Sequence, residues 1–465
     1  MIINTKSWLR SLLLLPALAG CTADLESGQA GVTDNDGVSI REAEIRCERP
    51  NKKHARFAVF SDPHFYDTAL GTEGAAFQTY LASDRKMLVQ SEPILNEVVG
   101  RILREHPDFV LVPGDLTKDG ERQDHVRFAQ YLRKIERAGI EVFVVPGNHD
   151  VQNPHAFQYT VDGAVPVANV DEKEFARIYR EYGFGEALYR DTESLSYVAE
   201  PAPGVWLLAM DSTDHRDNTA ETGPVTAGKF SPATKAWTLS MLAKAKKHDK
   251  RVIGMMHHGL LEHYTGQTIL FPEYVINDHV ALAKDLSMAG LEVVFTGHFH
   301  ANDITVAHLD TGKHLADIET GSLVTAPSPF RFVDWDLPTQ TMTVTTERVT
   351  SLPGQPDFST WAAQFLDHGL KGLVVYQLTS THLVDAVTAG FIAPVIATAL
   401  EAHYAGDEPG ADATTQQVAG LLQASGSAAG YAWGMSLLSL HADLAPADNN
   451  VVIHLGTGEA SPTTP

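Results

Sequence analysis

Apolar residues recur along this chain with two periods. Six short, β-branched runs have strand length: RFAVF (56–60), DFVLV (108–112), EVFVV (141–145), GVWLLAM (204–210), RVIGMM (251–256) and LEVVF (291–295). Between most of them the period lengthens to that of a helix. Ile94, Leu95, Val98, Val99, Ile102 and Leu103 form a 3.6-residue stripe, and 125–139 repeats it and stops at Gly139. A third helix is expected from a Ser-Pro start at 231–232. Strands alternating with helices predict an α/β core whose strands are buried on both faces. The later runs 330–337 and 341–349 have no helix between them and read as an antiparallel pair completing a second sheet.

Beyond about residue 352 the pattern changes. Residues 354–465 carry one base, Lys371, against ten acids, and are Ala-rich. This predicts a helical C-terminal region (353–465) whose last residues, GTGEASPTTP, are disordered. The run FIAPVIATAL (391–400) contains Pro394 and is too short for a membrane span, so it reads as a buried helix.

The N-terminal segment is different again. Lys6 and Arg10 precede a short apolar stretch that closes with Leu18-Ala19-Gly20-Cys21. It resembles the lipobox of bacterial lipoproteins, which implies a signal peptide over 1–20, lipidation at Cys21 and an exported, membrane-anchored protein on the periplasmic or cell-surface side. A plain secretory signal is the alternative. Residues 21–53, rich in Gly, Asp, Glu and Ser, read as a flexible tether to a domain spanning 54–352. Cys47 is the only other cysteine, so the fold does not rest on disulfides.

Charge narrows the partners. Fifty-eight acids against 35 Lys and Arg give a formal net charge of -23, which disfavours duplex nucleic acid. Anionic substrates need a local positive centre, such as a metal pair.

The polar clusters sit where the strands end. Asp62 and His64 follow the first strand, Asp115 the second and Asn148-His149-Asp150 the third. His257-His258 and His298-Phe299-His300 follow the last two. Open α/β sheets place ligands at the carboxyl ends of strands. Asp62, His64, Asp115, Asn148, His257, His298 and His300 offer oxygen and nitrogen donors without thiolates, a set suited to two Mn, Fe or Zn ions. A turn and a scatter of buried histidines is the bland alternative for each motif alone; the ordered set speaks against it.

In that order, Asp62-Pro63-His64, Gly114-Asp115, Gly147-Asn148-His149-Asp150, His257 and Gly297-His298-Phe299-His300 resemble the motifs of the calcineurin-like metallophosphoesterases, over about two thirds of the chain. The resemblance implies a four-layer α-β-β-α sandwich with a small helical C-terminal extension. It implies one metal held by Asp62, His64, Asp115 and His300, and a second by Asp115, Asn148, His257 and His298, with Asp115 bridging. His149 then faces the substrate as donor or general acid, with Asp150 holding its ring; His258 supports from behind. The implied reaction is in-line attack of an activated water on a small-molecule phosphoester.

Lys118 stands where purple acid phosphatases carry Tyr, and GDLTKDG lacks the Arg of protein phosphatases. The motifs look most like cyclic-nucleotide and glycerophosphodiester phosphodiesterases, although Gly259 replaces their usual Pro. A phosphomonoesterase, or a non-catalytic metal-binding surface lipoprotein, are the competing readings. Tyr66, Phe77 and Tyr80, on the long segment after His64, either line a pocket or pack that segment. Arg331 either meets phosphate or serves the structure.

Overall fold

The computed structural model describes residues 52–463 apart from 381, 382 and 407. The expected signal peptide, Cys21 and nearly all of the tether lie outside the described residues.

Strands β1 (His54–Val59), β2 (Phe109–Val112) and β3 (Glu141–Val144) run parallel and begin one sheet. A small hairpin, β4 (Phe157–Thr160) and β5 (Gly163–Pro166), follows. The second sheet is built from β6 (Tyr189–Arg190), β7 (Tyr197–Ala202), β8 (Val205–Ala209), β9 (Arg251–Met255), β10 (Val293–Thr296), β11 (Ile304–His308) and β12 (His314–Glu319). Its order is β11-β12-β10-β9-β8-β7-β6. The chain then returns to the first sheet with β13 (Pro329–Asp336) and β14 (Thr341–Arg348), and at its end with β15 (Asn450–His454) and β16 (Glu459–Pro462). That sheet has the order β16-β15-β14-β13-β1-β2-β3.

Two expectations are corrected here. The antiparallel pair β13–β14 exists, but it joins the first sheet, with Phe57 of β1 opposite Val333 of β13. The stretch expected to be disordered contains a strand: Glu459–Pro462 form β16, which pairs with β15 as β15 pairs with β14. The apolar alternation of NVVIH was the available cue; the Gly- and Thr-rich residues after it masked it.

Side-chain alternation explains the layering. On β8, Val205, Leu207 and Ala209 face the core between the sheets, whereas Trp206 and Leu208 pack with Met241, Leu242, Leu282 and Leu286 of the helices Pro232–Lys247 and His279–Ala289. Phe57 of the first sheet meets Phe295 of the second edge-on, 5.3 Å between ring centroids. The helices Ser91–Glu105 and Arg122–Glu136 cover the first sheet with their predicted stripes. Each buried branched side chain there contributes about 1.5–3 kcal/mol relative to exposure. The result is a helix-sheet-sheet-helix sandwich.

The C-terminal helices Phe358–Ser380 and Ala386–Ala405 pack together, and their buried stripes, including Leu366, Leu370, Ile392 and Ile396, merge with the main core. Ala386–Ala405 is the one described helix long and apolar enough to cross a membrane, but 44% of its apolar window is buried inside the molecule. Its Tyr404 and His403 rings lie 6.1 and 5.6 Å from Phe299 of the His298-Phe299-His300 loop. The extension therefore abuts the loop that carries two candidate ligands.

Candidate metal centre

Three loops from the first sheet (after β1, β2 and β3) and two from the second (after β9 and β10) meet at the seam between the sheets. Cross-seam hydrogen bonds fix them: His257 Nδ1 donates to Pro113 O (2.8 Å), and His298 N donates to the Asp62 carboxylate (3.1 and 3.2 Å). Their backbone is strained. Asp62, His64, Asp115, His298 and His300 all adopt positive φ, between 34 and 78°. Non-glycine residues avoid this region, and such strain collects at functional sites. Close approach also demands glycine. A Cβ on Gly147 would lie 2.1 Å from Asp115 Oδ1, and one on Gly297 2.3 Å from Asp62 Oδ2.

Two donor groups result, each with its ligand atoms within 4.8 Å of one another: Asp62, His64 and His300; and Asp115, His257 and His298. Asp115 also groups with His64 and His149. Its Oδ2 lies 3.5 Å from His64 Nε2 and 3.3 Å from His257 Nε2, so one carboxylate stands between the groups. Asn148 Oδ1 lies 3.1 Å from His257 Nε2.

The donor chemistry fits cations. His257 spends its Nδ1 proton on Pro113 O, and His298 Nε2 donates to Glu273 O (3.2 Å), so the other nitrogen of each ring is the candidate ligand atom. His300 Nδ1 bonds Thr325 Oγ1 (2.9 Å), and its Nε2 faces His64 Nε2 at 3.1 Å. Burial pushes His64, His298 and His300 down, toward the neutral ligating form. Burial pushes Asp62 up to about 6. Burial would lower His257, but Asp115 reverses this and holds it at about 9.

His149 occupies a different position. His64 and His257 are fully buried, whereas 21% of the His149 side chain is exposed. Its Nε2 faces Lys86 Nζ at 3.3 Å and Asp115 Oδ2 at 3.9 Å. Burial and Lys86 lower its pKa, but Asp115 and Asp119 prevail and the net shift is upward.

The expected role of Asp150 is corrected. Asp150 does not hold the His149 ring; Asp119 does, with Nδ1 donating to Oδ1 at 2.7 Å. Asp150 turns away and accepts from Gly147 N, Leu116 N, Thr117 N and Thr117 Oγ1 at 2.8 to 3.0 Å, clamping the Asp115 loop to the Asn148 loop. Neighbours in sequence share no face in this turn, whereas Asp119 reaches the ring across the seam of two loops. The adjacency of His149 and Asp150 was therefore misleading, and GDLTKDG held the unread cue.

Lys118 is buried between Asp119 and Glu121 and lies over the Tyr80 ring (4.5 Å), so it orders Asp119 instead of meeting substrate. His258 is buried and hydrogen-bonded to Ser212 Oγ and Thr226 O, beside the candidate ligand His257. Tyr66 and Phe77 pack with Leu70, Leu88 and Tyr159, so the segment after His64 is held by its own aromatic cluster, with Tyr80 packed against it. Arg331 is fully buried and bonds Asp448 O, Glu319 O and Thr346 Oγ1, a structural use. Lys86 and its neighbour Arg85, at the end of that segment, are cations the sequence reading did not single out, and both act on His300.

Carboxylate, amide and imidazole donors grouped about one shared aspartate are the equipment of a metal-dependent phosphoester hydrolase. The chain belongs to the calcineurin-like phosphoesterase family, whose profile matches residues 55–302. It is 30% identical over 103 residues to an uncharacterized metallophosphoesterase, YhaO, of Bacillus subtilis (strain 168); the match covers 19% of this chain and 24% of that relative, so it spans about a quarter of the relative's length. Similar solved structures include a dimetal phosphatase from Danio rerio (TM-score 0.43, 16% identity, 63% of this chain and 96% of that one). Another is GAP50, the anchor in the inner membrane complex of Plasmodium (TM-score 0.33, 12% identity, 68% and 95%).

Proposed function

We propose that this protein is a dimetal phosphodiesterase acting on a small-molecule phosphoester. The observation that carries the reading is the sharing of Asp115 between two buried carboxylate–imidazole groups. Asp62, His64, Asp115 and His300 would hold one ion, and Asp115, Asn148, His257 and His298 the other. When bound, such a pair supplies Lewis-acid stabilisation of phosphoryl oxygens and a water of lowered pKa. The chain's own residues do the rest. His149, its Nδ1–H held by Asp119, presents Nε2 to the substrate; as the imidazolium that Asp115 and Asp119 favour, it donates from Nε2 as hydrogen-bond donor and general acid toward the departing alkoxide. No nucleophilic side chain is required.

The diester reading draws on charge. Lys86, the lysine beside His149, is itself paired with Asp84 at 3.3 Å. Its charge is largely spent, leaving little to meet the second negative charge of a monoester. A phosphomonoesterase is the second reading, favoured if Lys86 releases Asp84. The test is kcat/KM for bis-p-nitrophenyl phosphate against p-nitrophenyl phosphate on the Mn-reconstituted protein, with Asn148→Ala as control. A diester preference above about tenfold, or about 1.4 kcal/mol, lost in the control, supports the proposal. A monoester preference selects the second reading, and metal binding without turnover selects a non-catalytic metal-binding lipoprotein.

We further propose export and lipid anchoring through Cys21, supported by the Leu18-Ala19-Gly20-Cys21 sequence after a short basic-apolar leader. Mass spectrometry of the mature N-terminus tests it: an unmodified or uncleaved Cys21 overturns the anchor.

A further inference from the structure

A second cluster of potential ligands lies apart from the dimetal centre, under the C-terminal extension. Asp303, Glu408, Asp443 and Asp448 each place a carboxylate oxygen within 4.8 Å of the others, and His403 groups with Asp303 and Glu408. Four acids converging on a surface are commonplace, but here three of the four side chains are buried and only Asp443 is exposed. Asp303 is 1% and Asp448 0% exposed, and the Glu408 side chain is 2% exposed. Repulsion among such carboxylates costs stability unless something offsets it.

Part of that cost is offset: Ile304 N donates to Asp448 Oδ1 (2.8 Å), and the buried Arg331 guanidinium lies beside Asp448. His403 Nδ1 lies 2.5 Å from Glu408 Oε1 and 3.5 Å from Asp303 Oδ2, so one imidazole serves two acids. His263 Nδ1 takes Asp303 Oδ1 (2.6 Å), and the same ring also lies 3.5 Å from both Asp317 and Glu319. The independent observation is Glu408 Oε2: it is buried and has no hydrogen-bond donor among the described residues. A carboxylate oxygen sealed in this way, within a group of four acids, marks a place for a cation.

We propose that Asp303, Glu408, Asp443 and Asp448 form a structural site for one divalent cation, of the hard, oxygen-preferring class represented by calcium. With the His403 Nδ1 proton turned onto Glu408, the donors left to the ion are oxygens, and no thiolate is near; such a set favours calcium over the borderline metals of the histidine-rich centre. The ligands come from three separate segments. Asp303 lies three residues beyond His300, Glu408 follows the helix Ala386–Ala405, and Asp443 and Asp448 precede β15. The ion therefore fastens the C-terminal extension to the loop that carries His298 and His300.

The test uses the full Mn-loaded protein, titrated calorimetrically with calcium and followed by thermal unfolding. The expected result is one additional calcium per chain and a raised melting temperature. Affinity falls at least tenfold in Glu408→Gln and in Asp443→Asn, and both responses persist in Asn148→Ala. Asp443 is exposed, so Asp443→Asn leaves the fold intact even if Glu408→Gln does not. Absence of calcium binding overturns the proposal. So does binding unchanged in both carboxylate variants, or binding lost in Asn148→Ala, which would assign the calcium to the dimetal centre.

Discussion

Asp119 Oδ1 accepts from His149 Nδ1 at 2.7 Å, and Lys118, buried beside it, keeps that carboxylate ionised against the cost of burial. The pair turns His149 Nε2 toward Asp115 and Lys86 and leaves it as the accessible imidazole of the site.

Asp119→Asn is expected to lower kcat about 10- to 100-fold with intact metal content, and to do so more for a poor leaving group than for p-nitrophenolate. Asp150→Asn acts differently. It removes the clamp on four donors, lowering stability by about 2–4 kcal/mol and weakening metal retention. Leaving-group dependence beside metal analysis separates the two.

Asp115→Asn removes the shared charge. Metal content by elemental analysis should drop for both ions and activity by at least about 10³-fold, whereas Asn148→Ala should release mainly the second ion. Chelation should abolish turnover while far-UV circular dichroism stays native-like, because the sandwich core is built without the ligands.

Lys86→Met tests substrate contact. Because Asp84 already takes the Lys86 charge, we expect KM for the diester to rise by no more than about threefold with kcat unchanged, the pattern of little lost ground-state binding. If the monoester reading holds, kcat/KM for the monoester falls further than for the diester.

Glu136, on the helix Arg122–Glu136, makes stability depend on pH. Burial pushes its carboxyl up to about 7, Glu186 and Glu141 add to this, and the Val142 N–H opposes it. The folded form thus holds the proton more tightly. This contribution is fully present below about pH 4.5 and is lost as pH rises through 7. Glu136→Gln keeps an acceptor for Val142 N and should narrow the melting-temperature difference between pH 5 and pH 8, corresponding to about 1 kcal/mol after solvent screening.

The sequence by itself determined eight of the strands (β1 to β3, β8 to β10, β13 and β14), three of the helices beside them and the order in which polar residues leave the strand ends. Those follow from local periodicity: Val205, Leu207 and Ala209 alternate with Trp206 and Leu208 whatever they pack against. It also placed Asp62, His64, Asp115, Asn148, His257, His298 and His300 on loops at one end of the strands, since each motif directly follows an apolar run. Tertiary structure decided the pairings that join distant segments. Whether β13 and β14 extend the first sheet or the second depends on which edge strand is free, and β1 offers it. Whether Asp150 or Asp119 holds His149 depends on the left-handed turn at Asp115 and the path of the loop after it. The meeting of Asp303 with Glu408, Asp443 and Asp448 needs the C-terminal helices to fold back first. Periodicity encodes which face of an element is buried; it does not encode which distant carboxylate will arrive there.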